Sequence, residues 1–182
     1  MNIKKLTVSV FLILLSVMIF AQKTDPYAPD FRKPKAIKGM KLVWNDEFNK
    51  NGKPDTAFWR YERGFVRNQE LQWYQENNAV CTNGVLLIEG RREQVKNPDY
   101  NPGSTRWNTA REFAEYTSSS IQTRKKKQWQ FGTFIIRARI DTSMGSWPAI
   151  WTLGISGGDP SGTEFPVTYE VDYVRVYQSK GK

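Results

Sequence analysis

The chain has 182 residues, of which 39% are hydrophobic, 14% aromatic and 25% charged, and its formal net charge at pH 7 is +9. This length and composition correspond to about one globular domain and exclude both a disordered chain and a protein that spans a membrane repeatedly. Because the sequence contains no histidine, it excludes a Ser-His-Asp triad, a Cys-His pair and any metal site that needs imidazole. The single cysteine, Cys81, excludes an intrachain disulfide.

Residues 1–21 have the pattern of a secretory signal peptide. Lys4 and Lys5 precede an apolar run, and Ala21 supplies a small residue just before a cleavage point at Gln22. The sequence therefore predicts an exported protein, secreted or periplasmic, without a stable membrane span after cleavage. An uncleaved membrane anchor is the alternative, although the apolar run is short for a span.

Residues 22–39 are predicted to form an extended leader, because three prolines lie there among charged residues. The globular domain is predicted to cover residues 40–180. Its densest basic cluster is residues 124–127, which we interpret as a solvated edge or turn. Nucleic-acid binding is a weak alternative for these charges, since the sequence has no basic helix and no RNA-binding aromatic signature. We therefore expect no nucleic-acid partner.

Several short stretches of the domain alternate with period two, and no convincing amphipathic helix is present, which predicts an all-β fold. In residues 131–140, apolar side chains alternate with Arg137 and Arg139. We expect the apolar face in the core and the arginine face at solvent or at a binding surface. In residues 169–177, alternation places Val171, Tyr173 and Arg175 on one face and Asp172, Val174 and Val176 on the other.

Residues 94–118 carry little strand signal and many Asn, Thr and Arg residues. Loops of this length are usually functional or disordered. Within the segment, Trp107, Phe113 and Tyr116 favour an ordered loop that packs on the domain or touches a ligand.

Trp147 and Trp151 lie four residues apart around Pro148. If this stretch is extended, as the proline favours, both indoles project from the same face. Paired indoles on one face can stack on sugar rings. Burial in the core is the alternative, because tryptophan is commonly buried without binding a ligand.

Six motifs occur in the order found in glycoside hydrolase family 16, and the chain resembles the laminarinase-type β-glucan endohydrolases of that family. The resemblance covers nearly everything after Met40. The motifs are LVWNDEF at 42–48, NQELQWY at 68–74, SSSIQTR at 118–124, FGTF at 131–134, GSWPAIW at 145–151 and YEVDYVRVY at 169–177.

The resemblance implies a concanavalin-like β-sandwich jelly roll and a retaining mechanism with two carboxyl groups. Family members carry a Glu-x-Asp-x-(x)-Glu strand shortly after the Trp-Pro-Ala-x-Trp segment, and this chain does not. Its Glu170-Val-Asp172 is followed by no second glutamate at either spacing. We therefore assign no catalytic residue and expect an incomplete jelly roll, with an internal block missing near residues 154–157. Such a deletion would expose sheet edges and apolar faces.

The resemblance also implies roles for seven residues. Glu47 and Asp172 match ligands of one structural calcium ion on the convex side, and hydrogen-bonded strand ends without metal are the alternative. No organic cofactor is implied. The residues that match polar or stacking contacts to a β-glucan are Asn68, Glu70, Arg137, Trp147 and Trp151.

The function implied by the resemblance is hydrolysis of O-glycosyl bonds in β-1,3 or mixed-linkage glucans, that is, polysaccharide degradation. Because the acid pair is absent, we expect this chain itself to be inactive. The alternative is a noncatalytic secreted protein that binds carbohydrate. Release of reducing sugars from a glucan would distinguish the two.

Overall fold

The computed structural model describes residues 25–146, 148–150 and 161–180. Within these residues, eleven strands and one short 3-10 turn at Glu76–Asn78 form the secondary structure, which agrees with the predicted all-β class. The strands are β1 (Met40–Asp46), β2 (Arg60–Tyr61), β3 (Gln72–Tyr74), β4 (Ala79–Thr82), β5 (Val85–Gly90), β6 (Val95–Lys96), β7 (Phe113–Ala114), β8 (Tyr116–Ser118), β9 (Ile121–Gln122), β10 (Thr133–Ile140) and β11 (Val167–Ser179).

The main sheet is antiparallel and is organised around the long strand β11. On one side, β11 pairs with β5 through its first residues and with β1 through its last residues, and β4 continues the sheet beyond β5. On its other side, β11 pairs with β10. The hairpin between β4 and β5 follows from the sequence, because Asn83 and Gly84 both have positive φ, as a tight two-residue turn requires. Three two-stranded sheets lie outside this main sheet: β2 with β9, β3 with β8 and β6 with β7.

Two β-bulges interrupt the main sheet. Between β10 and β11, Arg137 is opposite Tyr173 while Ala138 is opposite Val171, so Asp172 is left without a partner position. A similar shift in β1 leaves out Val43. The bulge in β11 changes which side chains share a face. Val171, Val174 and Val176 all pack in the core. Strict alternation, as expected from the sequence, places Val171 on the opposite face from Val174 and Val176.

The core lies against one face of the main sheet, which we call the inner face. Trp44 is its centre, with its ring 5.7 Å from Phe58, 5.8 Å from Trp59 and 5.1 Å from Trp129. Trp59 also donates a 2.7 Å hydrogen bond from Nε1 to Asp46, so its polar atom is satisfied despite burial. Cys81 is buried in the same cluster, and burial raises the pKa of its thiol to about 11.

The opposite, outer face of the main sheet carries Arg137, Arg139 and Arg175. Residues 25–39, the described part of the predicted leader, cross this face without forming a strand or helix. Arg137 donates to the carbonyl oxygens of Pro26 and Ala28, at 2.7 and 2.8 Å. The leader is therefore held by the sheet through its backbone.

Strand β10 lies at an edge of the main sheet, where among the described strands it pairs with β11 alone. Phe134 and Ile140 on this strand are each 49% exposed, although they are large and apolar. Such exposure is what the loss of a central block predicts for a sandwich. Within the described residues, no helix has the length and apolar character needed to cross a membrane.

Candidate functional site

A cavity of about 920 Å³ opens between the inner face of the main sheet and the segments opposite it. Its floor is formed by apolar side chains of the sheet, among them Trp44, Ile136 and Val174. Apolar surface with a few convergent polar groups is typical of ligand sites. The polar side chains at its rim include Glu62, Arg67, Asn68, Glu70, Gln72, Ser118, Ser120 and Gln122.

One side of the rim is the loop of residues 67–70, which we call the rim loop and which precedes β3. Asn68 and Gln69 both adopt the left-handed backbone region, with φ of 55°. Glu70 then accepts a 2.9 Å hydrogen bond from the Tyr74 hydroxyl, and Gln72 donates to the same hydroxyl at 2.8 Å. The three side chains form one connected polar chain along β3.

Tyr74 fixes the direction of the Glu70 carboxylate. Burial raises the pKa of Tyr74 to about 12, and the neighbouring charge of Glu70 acts in the same direction. The phenol therefore stays protonated at neutral pH and donates to the carboxylate. One oxygen of Glu70 is held in this way, and the side chain lies at the cavity.

The facing side of the rim is tied to the rim loop through Glu62. Ser120 donates a 2.6 Å hydrogen bond to Glu62, and Arg67 of the rim loop forms an ion pair with the same carboxylate. Arg67 also lies 5.4 Å from the centre of the Tyr74 ring. The two walls of the cavity entrance are thus connected by charged and hydroxyl groups.

The acids at the cavity do not form the motif of a retaining glycosidase. Among the described residues that line it, the carboxylates are Glu62, Glu70 and Asp141. Glu62 is in its ion pair, and Asp141 accepts from Ser143, a hydrogen bond that lowers the pKa of the Asp141 carboxyl. A retaining pair needs two carboxyl groups about 5–5.5 Å apart, and the family resemblance implies that one strand would carry both. The described residues that line the cavity can bind hydroxyl groups, and no two of their carboxylates lie on one strand.

Two of the five predicted sugar contacts lie together at the cavity, namely Asn68 and Glu70. Trp147 and Trp151 lie outside the described residues, so their predicted stacking role stays a prediction. Their described neighbours Ser146 and Pro148 do line the cavity.

Arg137 lies away from the cavity, on the outer face. It forms an ion pair with Asp172 and donates to the leader backbone. This placement does not support the predicted role of Arg137 as a sugar contact. The physical reason is the period of β10, because Ile136 faces the cavity and the next side chain must project to the other side.

The two carboxylates predicted to bind calcium already have cationic or N–H partners. Both oxygens of Glu47 accept from Arg175, at 2.9 and 2.6 Å, and Asp172 accepts from Arg137 and from the backbone N–H of Asp30. Within the described part of the chain, no group of three or more His, Cys, Asp or Glu side chains could hold a metal ion. In this arrangement the residues do not fit a calcium site.

Sequence reasoning missed three functional candidates: Glu62, Gln72 and Tyr74. For two of them a signal was available, because Glu70, Gln72 and Tyr74 follow one another with period two and so share one face of a strand. Glu62 had no such signal, since it reaches the rim through the pairing of β2 with β9.

Comparison with known proteins gives a consistent result. The chain is 42% identical over 117 residues to the β-glucanase of Rhodothermus marinus, which covers 62% of this chain and 35% of that protein. Its fold is similar to the laminarinase catalytic domain of Thermotoga petrophila, with a TM-score of 0.61 at 20% identity over 80% of this chain and 100% of that one. It is also similar to a non-specific endo-β-1,3(4)-glucanase from family GH16, with a TM-score of 0.56 at 21% identity, over 87% of this chain and 98% of that one.

The chain spans about a third of the length of the Rhodothermus protein, so the match concerns one part of that relative. No protein-family model matches the chain. The two structural similarities show a jelly-roll fold. In sequence and in fold the chain is therefore similar to β-glucanases and laminarinases, among them an enzyme of family GH16.

Proposed function

We propose that the protein serves polysaccharide degradation by binding β-1,3 or mixed-linkage glucan in the cavity. The reaction of this lineage is the hydrolysis of O-glycosyl bonds in such glucans, and the relatives named β-glucanase and laminarinase support this assignment. The observation that carries the proposal is the polar chain of Gln72, Tyr74 and Glu70 at the rim of an open cavity.

The rim offers the groups that a sugar polymer needs. A glucan presents many hydroxyl groups that both donate and accept, and the rim supplies carboxylate, amide and hydroxyl partners. Glu70 is held by Tyr74, so it accepts from a ligand without first losing rotational freedom. Trp147 and Trp151 are proposed to stack on sugar faces next to this rim.

Hydrolysis by this chain is not part of the proposal, because the acid pair is absent from its sequence. A retaining glycosidase without its nucleophile and acid loses many orders of magnitude in rate. The second candidate function, a noncatalytic secreted carbohydrate-binding protein, is favoured by this absence. The two candidates share the ligand and differ in whether the binding serves polysaccharide degradation.

Export fits the ligand. Glucan polymers are too large to pass a membrane freely, so a protein that binds them must reach them outside the cytoplasm. We propose that residues 1–21 direct the chain there, and that the mature protein starts near Gln22 and works secreted or in the periplasm.

Affinity electrophoresis and a reducing-sugar assay on the same purified protein test this function. We expect laminarin or mixed-linkage glucan in the gel to retard the native protein, and the protein to release no more reducing sugar than a heat-denatured control. Ordinary turnover would contradict the assignment of no catalytic pair. Unretarded migration in both glucans would contradict glucan binding.

A further inference from the structure

We propose that Arg111 is a positioning residue that holds the rim loop in its binding conformation. Arg111 lies in the long segment between β6 and β8, away from the six motifs of the family. It donates a 2.7 Å hydrogen bond from Nη2 to the backbone carbonyl of Glu70. The proposal rests on the proposed function in one respect, namely that the rim loop binds glucan.

The guanidinium of Arg111 is fixed by an aromatic cluster. Its central carbon lies 3.9 Å from the centre of the Phe65 ring and 5.8 Å from that of Trp107. Phe65 in turn contacts Trp73 edge to face, with ring centres 5.3 Å apart. A planar cation stacked on a ring has little freedom to turn, so its hydrogen bond to Glu70 has a defined direction.

The rim loop needs such support. Asn68 and Gln69 are consecutive non-glycine residues whose backbones are both in the left-handed region. Such a backbone persists only where the surrounding structure imposes it. Within the loop, the Glu70 N–H donates to the Arg67 carbonyl at 3.1 Å. Arg111, which lies outside the loop, donates to the carbonyl of Glu70 at the end of the loop that leads into β3.

The segment that carries Arg111 is itself well anchored. Asn97 is buried and donates from its side chain to the carbonyl oxygens of Asn108 and Arg111, both at 2.9 Å. This confirms the expectation of an ordered, packed loop. The position of Arg111 is therefore determined by the fold rather than by a ligand, and the residue contacts the rim loop from behind.

Two substitutions separate the hydrogen bond from the packing. Arg111→Met keeps most of the side-chain volume and removes the donor, whereas Arg111→Lys restores a donor to the Glu70 carbonyl but not the planar stacking. Arg106→Ala, an exposed arginine of the same segment, is the matched control. Each variant is compared with the full chain by thermal unfolding, amide hydrogen exchange and laminarin affinity.

We expect Arg111→Met to speed exchange at the amides of residues 68–72 by about tenfold and to weaken laminarin binding by about tenfold. Exchange in β5 and β11 should stay unchanged, which a general loss of stability would not allow. Arg111→Lys should recover part of both losses, and Arg106→Ala should match the unmodified chain.

Unchanged exchange at residues 68–72 in Arg111→Met would overturn the proposal, as would an Arg111→Lys variant that exchanges as fast as the Met variant. The exchange measurement needs no ligand. If the unmodified chain failed to bind laminarin while exchange responded as expected, the proposed function would fail and the positioning role of Arg111 would stand.

Discussion

The two faces of the main sheet differ in whether their polar side chains are already paired within the protein or border an open cavity. On the outer face, Arg137, Arg139 and Arg175 each form an ion pair with a carboxylate, and the leader lies across the sheet. On the inner face, apolar side chains and a polar rim surround a cavity of about 920 Å³. The comparison teaches that charge alone does not mark the binding side. The outer arginines are structural, and the site lies where polar groups border open space.

The largest expected effect is on the outer face, at Arg175. Its side chain is 5% exposed and binds both oxygens of Glu47. Arg175→Ala should lower the free energy of unfolding by about 3–5 kcal/mol, because it leaves a largely buried carboxylate without its cationic partner. Urea unfolding followed by tryptophan fluorescence measures this. Arg139→Ala, which removes an exposed arginine paired with Glu170, should cost less than about 1 kcal/mol. Equal losses for both variants would contradict the comparison.

On the inner side, the expected effect is on binding rather than on folding. Replacing Trp147 or Trp151 by Ala should weaken glucan binding by about 1–3 kcal/mol each, the usual contribution of aromatic stacking. Affinity electrophoresis in laminarin measures the change. Tyr27→Ala removes an exposed aromatic residue of the leader and should leave binding unaltered. If neither tryptophan variant binds more weakly, both indoles belong to the core.

Alkaline pH should destabilise the inner side through groups that burial keeps neutral. Burial raises the pKa of Tyr74 and Tyr169 to about 12 and that of Cys81 to about 11. Since these pKa values lie above those of the unfolded chain, the stabilisation is complete below pH 9 and is lost as pH rises. Between pH 9 and 12, the free energy of unfolding should fall by several kcal/mol for these groups together, because each unit of raised pKa corresponds to about 1.4 kcal/mol. Tyr169→Phe should reduce this slope, and an identical slope would exclude Tyr169 as a contributor.

The smallest expected effect concerns calcium. Because arginines already bind Glu47 and Asp172, adding calcium chloride in place of EDTA should change the melting temperature by less than about 1 °C. Differential scanning fluorimetry of the purified chain measures this. A rise of several degrees would show that calcium displaces the arginines, and would restore the structural calcium site implied by the family.

The sequence was sufficient for the all-β class and for the two faces of β10, because an unbroken period of two places Ile136 with the core and Arg137 opposite. It was insufficient for β11, where the bulge at Asp172 brings Val171 onto the same face as Val174 and Val176. A bulge adds a single residue to one strand, and this addition has no distinct signature in the amino-acid sequence. For the same reason, the leader contacts were invisible, since their acceptors are backbone carbonyl groups that every residue carries.

At the site, sequence similarity located Asn68 and Glu70 but not the groups that hold them. Glu62 and Arg111 reach the rim through pairings of distant segments, and no local motif records such contacts. The only sequence signal for Tyr74 was the period-two series of Glu70, Gln72 and Tyr74, which ends in β3. Sequence patterns therefore identify residues that share one element more readily than residues that several elements bring together.

The burial of Cys81 gives the protein a built-in reporter of opening. It is the single thiol of the chain, it is 3% exposed, and its raised pKa keeps it protonated and unreactive at neutral pH. A maleimide or disulfide reagent can therefore label the folded protein only when β4 and its neighbours separate. The rate of labelling would then measure how often the main sheet opens around Cys81, without any engineered probe.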